Sequence, residues 1–294
     1  MMHFKGNAAL AGIGLMLFAC FCSAGSSAAA KAVMVWLPIA LVLFFRTATA
    51  WLLVFSFTRT AEFRGLPHPW LQLLRIVLCA VEIPIYFFSL AKLPIVDTLT
   101  YYMATPIYVT AISVLLGEQV GWRRWSAILV GFAGVVIALR PSAATLTLPA
   151  LIALTGSILY AGVLVTTRVL RGTPDRVLLL GQQTGLLIVT GIAASQNWVP
   201  LTASDIALTA VLGVLTLVGS FCTNRALKLA PASVVVPYHY TLLPWGALFG
   251  FLFFAETPQV TTLIGAALII AAGLYIFMRE QAVGKRPPMP IEPQ

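Results

Sequence analysis

The stretch ALKLAPASVVVPYHYTLLPWGALFGFLFFAE at 226–256 has a counterpart, AKLPIVDTLTYYMATPIYVTAISVLLGE, at 91–118. Pro94, Pro106 and Glu118 of the earlier segment recur as Pro231, Pro244 and Glu256 of the later one, in the same order and with one residue of slippage. The lead-ins correspond as well, AKL before Pro94 and LKLA before Pro231, and each segment is followed by an apolar run ending in arginine, at Arg140 and Arg279. The chain is therefore a duplication, and repetition on this scale decides architecture before any local reading does.

Composition defines what was duplicated. Hydrophobic residues make up 60% and charged residues 9% of 294 positions, and the mean hydropathy is +0.96. A soluble domain has roughly 45–50% apolar and 25% charged residues, so the sequence describes an integral membrane protein. The net charge of +9 does not point to nucleic acid, because the basic residues form short clusters between apolar runs. Runs long enough to cross a bilayer, roughly 17–25 residues each, lie near 8–28, 36–57, 72–91, 94–116, 123–139, 148–168, 177–195, 204–224, 231–254 and 258–278. The expected fold is an all-α polytopic membrane protein with ten transmembrane helices, five in each repeat. Turn chemistry at 65–69 (GLPHP), 140–141 (RP), 172–175 (GTPD) and 197–200 (NWVP) supports the boundaries. The repeats are expected at 1–140 and 141–279, with a proline-rich disordered tail at 280–294.

Fourteen of the 18 Lys and Arg residues fall on the side of the N-terminus if that terminus is cytoplasmic, from Lys5 through Arg75 and Arg123 to Arg286. Lys31, Lys92 and Arg140 fall on the other side and Arg46 within a span. This bias predicts cytoplasmic N- and C-termini. Five spans separate Glu118 from Glu256, so the two repeats are inverted copies. Read alone, the first 30 residues also fit a signal peptide with AAA at 28–30, but their apolar run exceeds the roughly 7–15 residues of such a segment, and its removal would spoil the five-plus-five repeat. Cys20, Cys22, Cys79 and Cys222 all lie in apolar spans, which indicates neither a disulfide framework nor a metal cluster. No phosphate-binding glycine-lysine loop occurs, so direct drive by ATP within this chain is not expected. No metal and no cofactor is predicted. Isolated acids, without paired carboxylates or a nucleophile and base, argue against an enzyme. Inverted halves can exchange conformation and open a central site to each face in turn, which is the geometry of alternating access.

Both proline–glutamate segments, with Gly131 and Gly134 after the first and Gly265 and Gly273 after the second, resemble the EamA-type repeat of the drug/metabolite transporter superfamily. FFRTATA at 44–50 is similar to the arginine-bearing second helix of that family. The likeness covers 8–279, and length and layout resemble bacterial amino-acid exporters, particularly the aromatic amino-acid branch. The resemblance implies a ten-helix basket in the bacterial inner membrane, functional as a monomer, with a cavity lined mainly by helices 1, 3, 4, 6, 8 and 9. It implies a small-molecule substrate, an amino acid in the branch named, with a multidrug or cation exporter and a nucleotide-sugar transporter as alternatives in the same superfamily. FAET after the second repeat departs from LGEQ after the first, so the two glutamates need not share a role.

Candidate site residues follow from chemistry. Glu82 lies mid-span, and an intramembrane carboxylate must face protein or water; it either handles substrate or protons, or pairs with Arg46 in the preceding span. Tyr86 follows one turn later. Thr98, Tyr101, Thr105 and Tyr108 are spaced as one helical stripe, as are Tyr238, Thr241 and Trp245, with His239 beside them. Such stripes line either an apolar pocket with a few polar fixtures or the helix-packing interior. His239 is the one histidine within a span and can either carry a proton or serve as a structural hydrogen-bonding group. Gln182 and Gln183 sit in GQQTG, read as close helix packing. Pro106 and Pro244 remove helical hydrogen bonds and are candidate hinges or static bends.

Overall fold

A computed structural model describes residues 3–58, 66–105, 147–229, 236–257 and 260–284, and within 106–146 only 108, 109, 111, 112, 122, 126, 129, 130, 133, 134, 136 and 137. Pro106, Glu118, Gly131, Arg140 and Pro231 lie outside these residues, as does most of the fifth predicted span. The described elements are α1 (His3–Val33), α2 (Ile39–Phe57), α3 (Pro69–Lys92), α4 (Ile95–Tyr102), α5 (Leu148–Val169), α6 (Asp175–Gln196) and α7 (Ala203–Leu229). A 3₁₀ segment (Val236–Thr241), α8 (Leu242–Phe254) and α9 (Val260–Gly284) follow. Among the described residues six helices are long and apolar enough to cross a membrane, the first, second, third, fifth, sixth and seventh of these. The last helix runs on to Gly284, five residues into the stretch expected as tail, because nothing in REQAV interrupts it.

The helices pair in a pattern that survives exchange of the two repeats. α1 packs on α7 as α3 packs on α5, and α2 on α7 as α6 on α3. α1 meets α8 as α5 meets α4, whereas α2 against α6 and α4 against α8 map onto themselves. Substituting α1 for α5, α2 for α6, α3 for α7 and α4 for α8 thus returns the same set of contacts. Duplication in the sequence has become two-fold symmetry in the packing. With five spans in each repeat the second copy enters the bilayer the opposite way up, so these are inverted repeats.

Small residues let the helices come together, since apolar contact alone gives no preference for protein over lipid. Ala24, Ser26, Ser27, Ala28 and Ala30 of α1 are buried, and α1 packs closely on α7. There a Cβ on Gly219 would lie 3.1 Å from Ser23 Oγ. Gly213 of α7 sits directly on the Arg46 carbonyl of α2, leaving no room for a side chain.

Both proline-bearing spans depart from a continuous α-helix. α4 ends at Tyr102; Met103 and Ala104 form a turn and Thr105 is helical again, an interruption that matches the Tyr102 carbonyl's loss of a partner at Pro106, which has no N–H. In the later repeat the chain is 3₁₀ up to Thr241 before α8 begins. Pro244 therefore falls in the first turn of α8, where its missing N–H would have no intrahelical partner in any case, and not in a mid-helix kink.

Where α1 ends, four elements are tied together. Lys31 Nζ lies 2.5 Å from Glu256 Oε1 and donates to the Leu93 carbonyl at 2.7 Å. Glu256 Oε2 accepts the backbone N–H of Ile95 at 2.8 Å, satisfying one of the orphan donors at the N-terminus of α4. The glutamate of the second repeat thus caps the helix that follows Pro94 of the first.

Candidate functional site

A cavity of about 190 Å³ lies between the repeats. Its wall draws on α1, α3, α4, α5, α7 and the 3₁₀–α8 segment, corresponding to the first, third, fourth, sixth, eighth and ninth predicted spans, with Arg46 from α2 and Gln182 from α6 in addition. α3 supplies the longest contribution. Arg75, Cys79, Glu82 and Tyr86 face the cavity at intervals of four, three and four residues, a single stripe of an α-helix.

Charge in this wall is left open. Arg46 is 3% and Glu82 6% exposed, yet among the described residues no ion pair joins them. The Arg46 guanidinium lies 4.5 Å over the Phe87 ring and donates once, to Thr216 Oγ1 at 3.1 Å, while its Nε has no partner. Thr216 also bonds Ser26 at 3.0 Å, which fixes that hydroxyl against α1. Glu82 sits beside the Tyr102 hydroxyl, which is buried without an aligned partner. Burying polar groups unpaired is costly.

Rings form a continuous second wall. Tyr86 meets Tyr102 edge-on with centroids 5.0 Å apart, Tyr102 approaches Tyr160 at 6.1 Å, and Tyr160 reaches His239 at 6.0 Å. Tyr86 is oriented by a 2.9 Å hydrogen bond with Ser27. His239 Nδ1 lies 3.8 Å from Cys20 Sγ. A flat or aromatic body can lie along these rings while its polar ends meet Arg46 and Glu82. Among the described residues no group of three His, Cys, Asp or Glu side chains could hold a metal ion.

Of the residues singled out from sequence, Glu82, Tyr86 and His239 line this cavity together, and Arg46 joins them. The others are placed elsewhere. Tyr101 is buried in the apolar core, and Thr105 reaches the Ser157 carbonyl at 3.4 Å. Tyr238 packs against the core, and Thr241 donates to the Tyr238 carbonyl at 2.7 Å. Trp245 stands edge-on to Phe21 at 5.1 Å. Gln182, read as a packing residue, both lines the cavity and accepts from Arg75 at 3.2 Å; the flanking Gly181 and Gly185 do pack closely on Ile76. Tyr102, Tyr160, Arg75 and Asn224 line the cavity without a signal of their own in the sequence, except that Arg75, Glu82 and Tyr86 share one stripe of α3.

Paired repeats around a buried polar cavity, carried by helices that cross a membrane, define a membrane transporter. The sequence profile of the EamA-like transporter family matches residues 10–140 and 147–278, and the chain belongs to that family. It is 31% identical over 269 residues to a riboflavin transporter of Rhizobium johnstonii, covering 86% of this chain and 87% of that one. It is 28% identical over 269 residues to a pseudopaline exporter of Pseudomonas aeruginosa, covering 89% and 94%. A third relative is an S-adenosylmethionine uptake transporter of Rickettsia felis, 26% identical over 281 residues, with 94% and 96% covered. A solved crystal structure superposes with a TM-score of 0.66 at 17% identity, over 95% of this chain and 99% of the other, so the fold itself is shared.

Proposed function

We propose that the protein moves small metabolites bearing an amino-acid head group, aromatic amino acids among them, by alternating access between its inverted halves. The observation that carries this reading is the pair Arg46 and Glu82, a guanidinium and a carboxylate that share one cavity without pairing. A zwitterion supplies the missing partner to each, its carboxylate to Arg46 and its ammonium to Glu82, and charge-assisted bonds of this kind are about twice as strong as neutral ones. The tyrosine wall accepts an apolar or aromatic body. At about 190 Å³ the cavity is below the roughly 300–1,000 Å³ of sites for drug-sized ligands, which favours a compact substrate. Tyr101, Thr105, Tyr238, Thr241 and Trp245 belong in this proposal to the packing around the site.

We place the protein in the bacterial inner membrane with both termini in the cytoplasm, on the strength of the basic residues on one side. Single cysteines at positions 118 and 256, in a cysteine-free background, are expected to label from opposite sides; labelling from one side overturns the orientation. The direction proposed is export. Relatives are named both as exporters and as uptake transporters, so outward and inward flux need separate measurement.

The test is reconstitution in liposomes with labelled phenylalanine, tryptophan, threonine, riboflavin and a lipophilic cation, with and without a pH gradient. Movement of the amino acids is expected. Movement of the cation alone overturns the reading in favour of a drug exporter. A second reading rests on the Rhizobium relative and the ring wall, along which a flat heteroaromatic molecule could lie, and transport of riboflavin with no amino acid would select it.

A further inference from the structure

Arg75 is 2% exposed and has no carboxylate partner among the described residues. Its Nε donates to Thr167 Oγ1 at 2.8 Å, one terminal nitrogen to the Leu178 carbonyl at 2.9 Å and the other to Gln182 Oε1 at 3.2 Å. All three acceptors are neutral. They orient the guanidinium without cancelling its charge. A guanidinium carries five N–H donors, so two remain after these three bonds. Arg75, Thr167 and Gln182 all line the cavity. Within that wall two guanidinium groups stand against one carboxylate, and Glu82 faces Arg46. The excess positive charge is therefore located at Arg75, seven residues and about 10 Å of helix rise from Glu82.

We propose that Arg75 is the anion end of an elongated substrate site: it binds a second acidic group, carboxylate or phosphate, at the far end of a molecule whose head group lies at Arg46 and Glu82. This deepens the amino-acid reading above and rests on it. The preferred substrates are amino acids whose side chain ends in an anion. A purely structural role would need only the three bonds already made, which join α3 to α5 and α6, and would give no reason to keep an uncompensated charge on the cavity surface rather than a neutral donor.

The probes are phenylalanine and 4-carboxyphenylalanine, which share head group and ring and differ only in the distal carboxylate. Binding to the purified full-length protein in lipid nanodiscs is measured by calorimetry. The unaltered protein is expected to prefer 4-carboxyphenylalanine by about tenfold or more, the worth of a hydrogen bond to a charged group. Arg75→Gln should bring the ratio of the two affinities close to one, and Arg75→Lys, which keeps the charge but loses the fork, should leave part of the preference. Equal binding of both probes by the unaltered protein, or binding of phenylalanine alone, overturns the inference and leaves the amino-acid reading standing. Binding of neither probe overturns both. Retention of the full ratio in Arg75→Gln assigns the preference to another residue and rejects Arg75 as the anion end. Because the first comparison uses the unaltered protein, the test survives even if both variants fail to fold.

Discussion

The middle of the bundle and the end where α1 stops treat charge in opposite ways. At the end, Lys31 and Glu256 lie 2.5 Å apart and their remaining atoms take up the Leu93 carbonyl and the Ile95 N–H. Their capacity is used within the protein. In the middle, Arg46 makes one hydrogen bond and Glu82 no ion pair. A mostly buried but fully partnered cluster fixes shape, whereas the under-partnered one is where the proposal puts the substrate, and the two should respond differently to the same chemical change.

Glu82→Gln removes the cavity's one described carboxylate and keeps its shape. A transport rate lower by about 10- to 100-fold at equal abundance is expected, the range for a lost hydrogen bond to a charged group. A normal rate in proteoliposomes would erase the distinction between the two regions. Tyr102→Leu should follow, with an increase in KM of about three- to tenfold from the loss of ring contacts worth 0.5–1.5 kcal/mol, measured by flux against concentration. Glu256→Gln should act on conformation rather than affinity. The ion pair is mostly buried, its side chains 14% and 18% exposed, so removing the carboxylate charge strands Lys31 and costs stability; a clearly lowered melting temperature with unchanged KM and a rate change within about fivefold are expected. If Glu256→Gln alters KM more than Glu82→Gln does, the comparison is inverted. The smallest effect is expected for Trp245→Phe, less than about twofold in rate or KM, because Trp245 meets Phe21 and Phe249 outside the cavity wall and a phenyl ring keeps an edge contact there.

The spans, the duplication and the charged middle of the site were legible in the sequence because each follows from long-range pattern or from the cost of burying charge. The tyrosines were harder to assign. The stripe through Thr98, Tyr101, Thr105 and Tyr108 assumes one unbroken α-helix, but α4 stops at Tyr102, and within that single short helix Leu99 and Tyr102 face the cavity while Tyr101 turns into the core. In the second repeat the stripe through Tyr238 and Thr241 assumes 3.6 residues per turn. The chain there is 3₁₀, with three per turn, so those two residues eclipse each other and His239, on the next face, meets the cavity. Arg75 was counted as a marker of the cytoplasmic side. Counting basic residues near span ends reads orientation and is blind to which of them turns inward. Tyr160 has only Ser157 as a polar neighbour in SILYAGV, too little to mark a stripe, and the approach of α3 and α4 to α5 places it.

The cap that Glu256 provides for α4 also sets a timetable. Ile95 leaves the ribosome 161 residues before its acceptor exists, an interval of roughly 10–30 s at ordinary rates of chain elongation. Until then the first turn of α4 has a vacant donor and Lys31 has no counter-ion at that end. The amino-terminal half therefore enters the bilayer unfinished, and its fourth span is completed only when the carboxy-terminal half is inserted beside it. A product released by a stop codon at any of positions 243–256 would carry every cavity-facing residue named here and still lack the group that holds its fourth helix at the root.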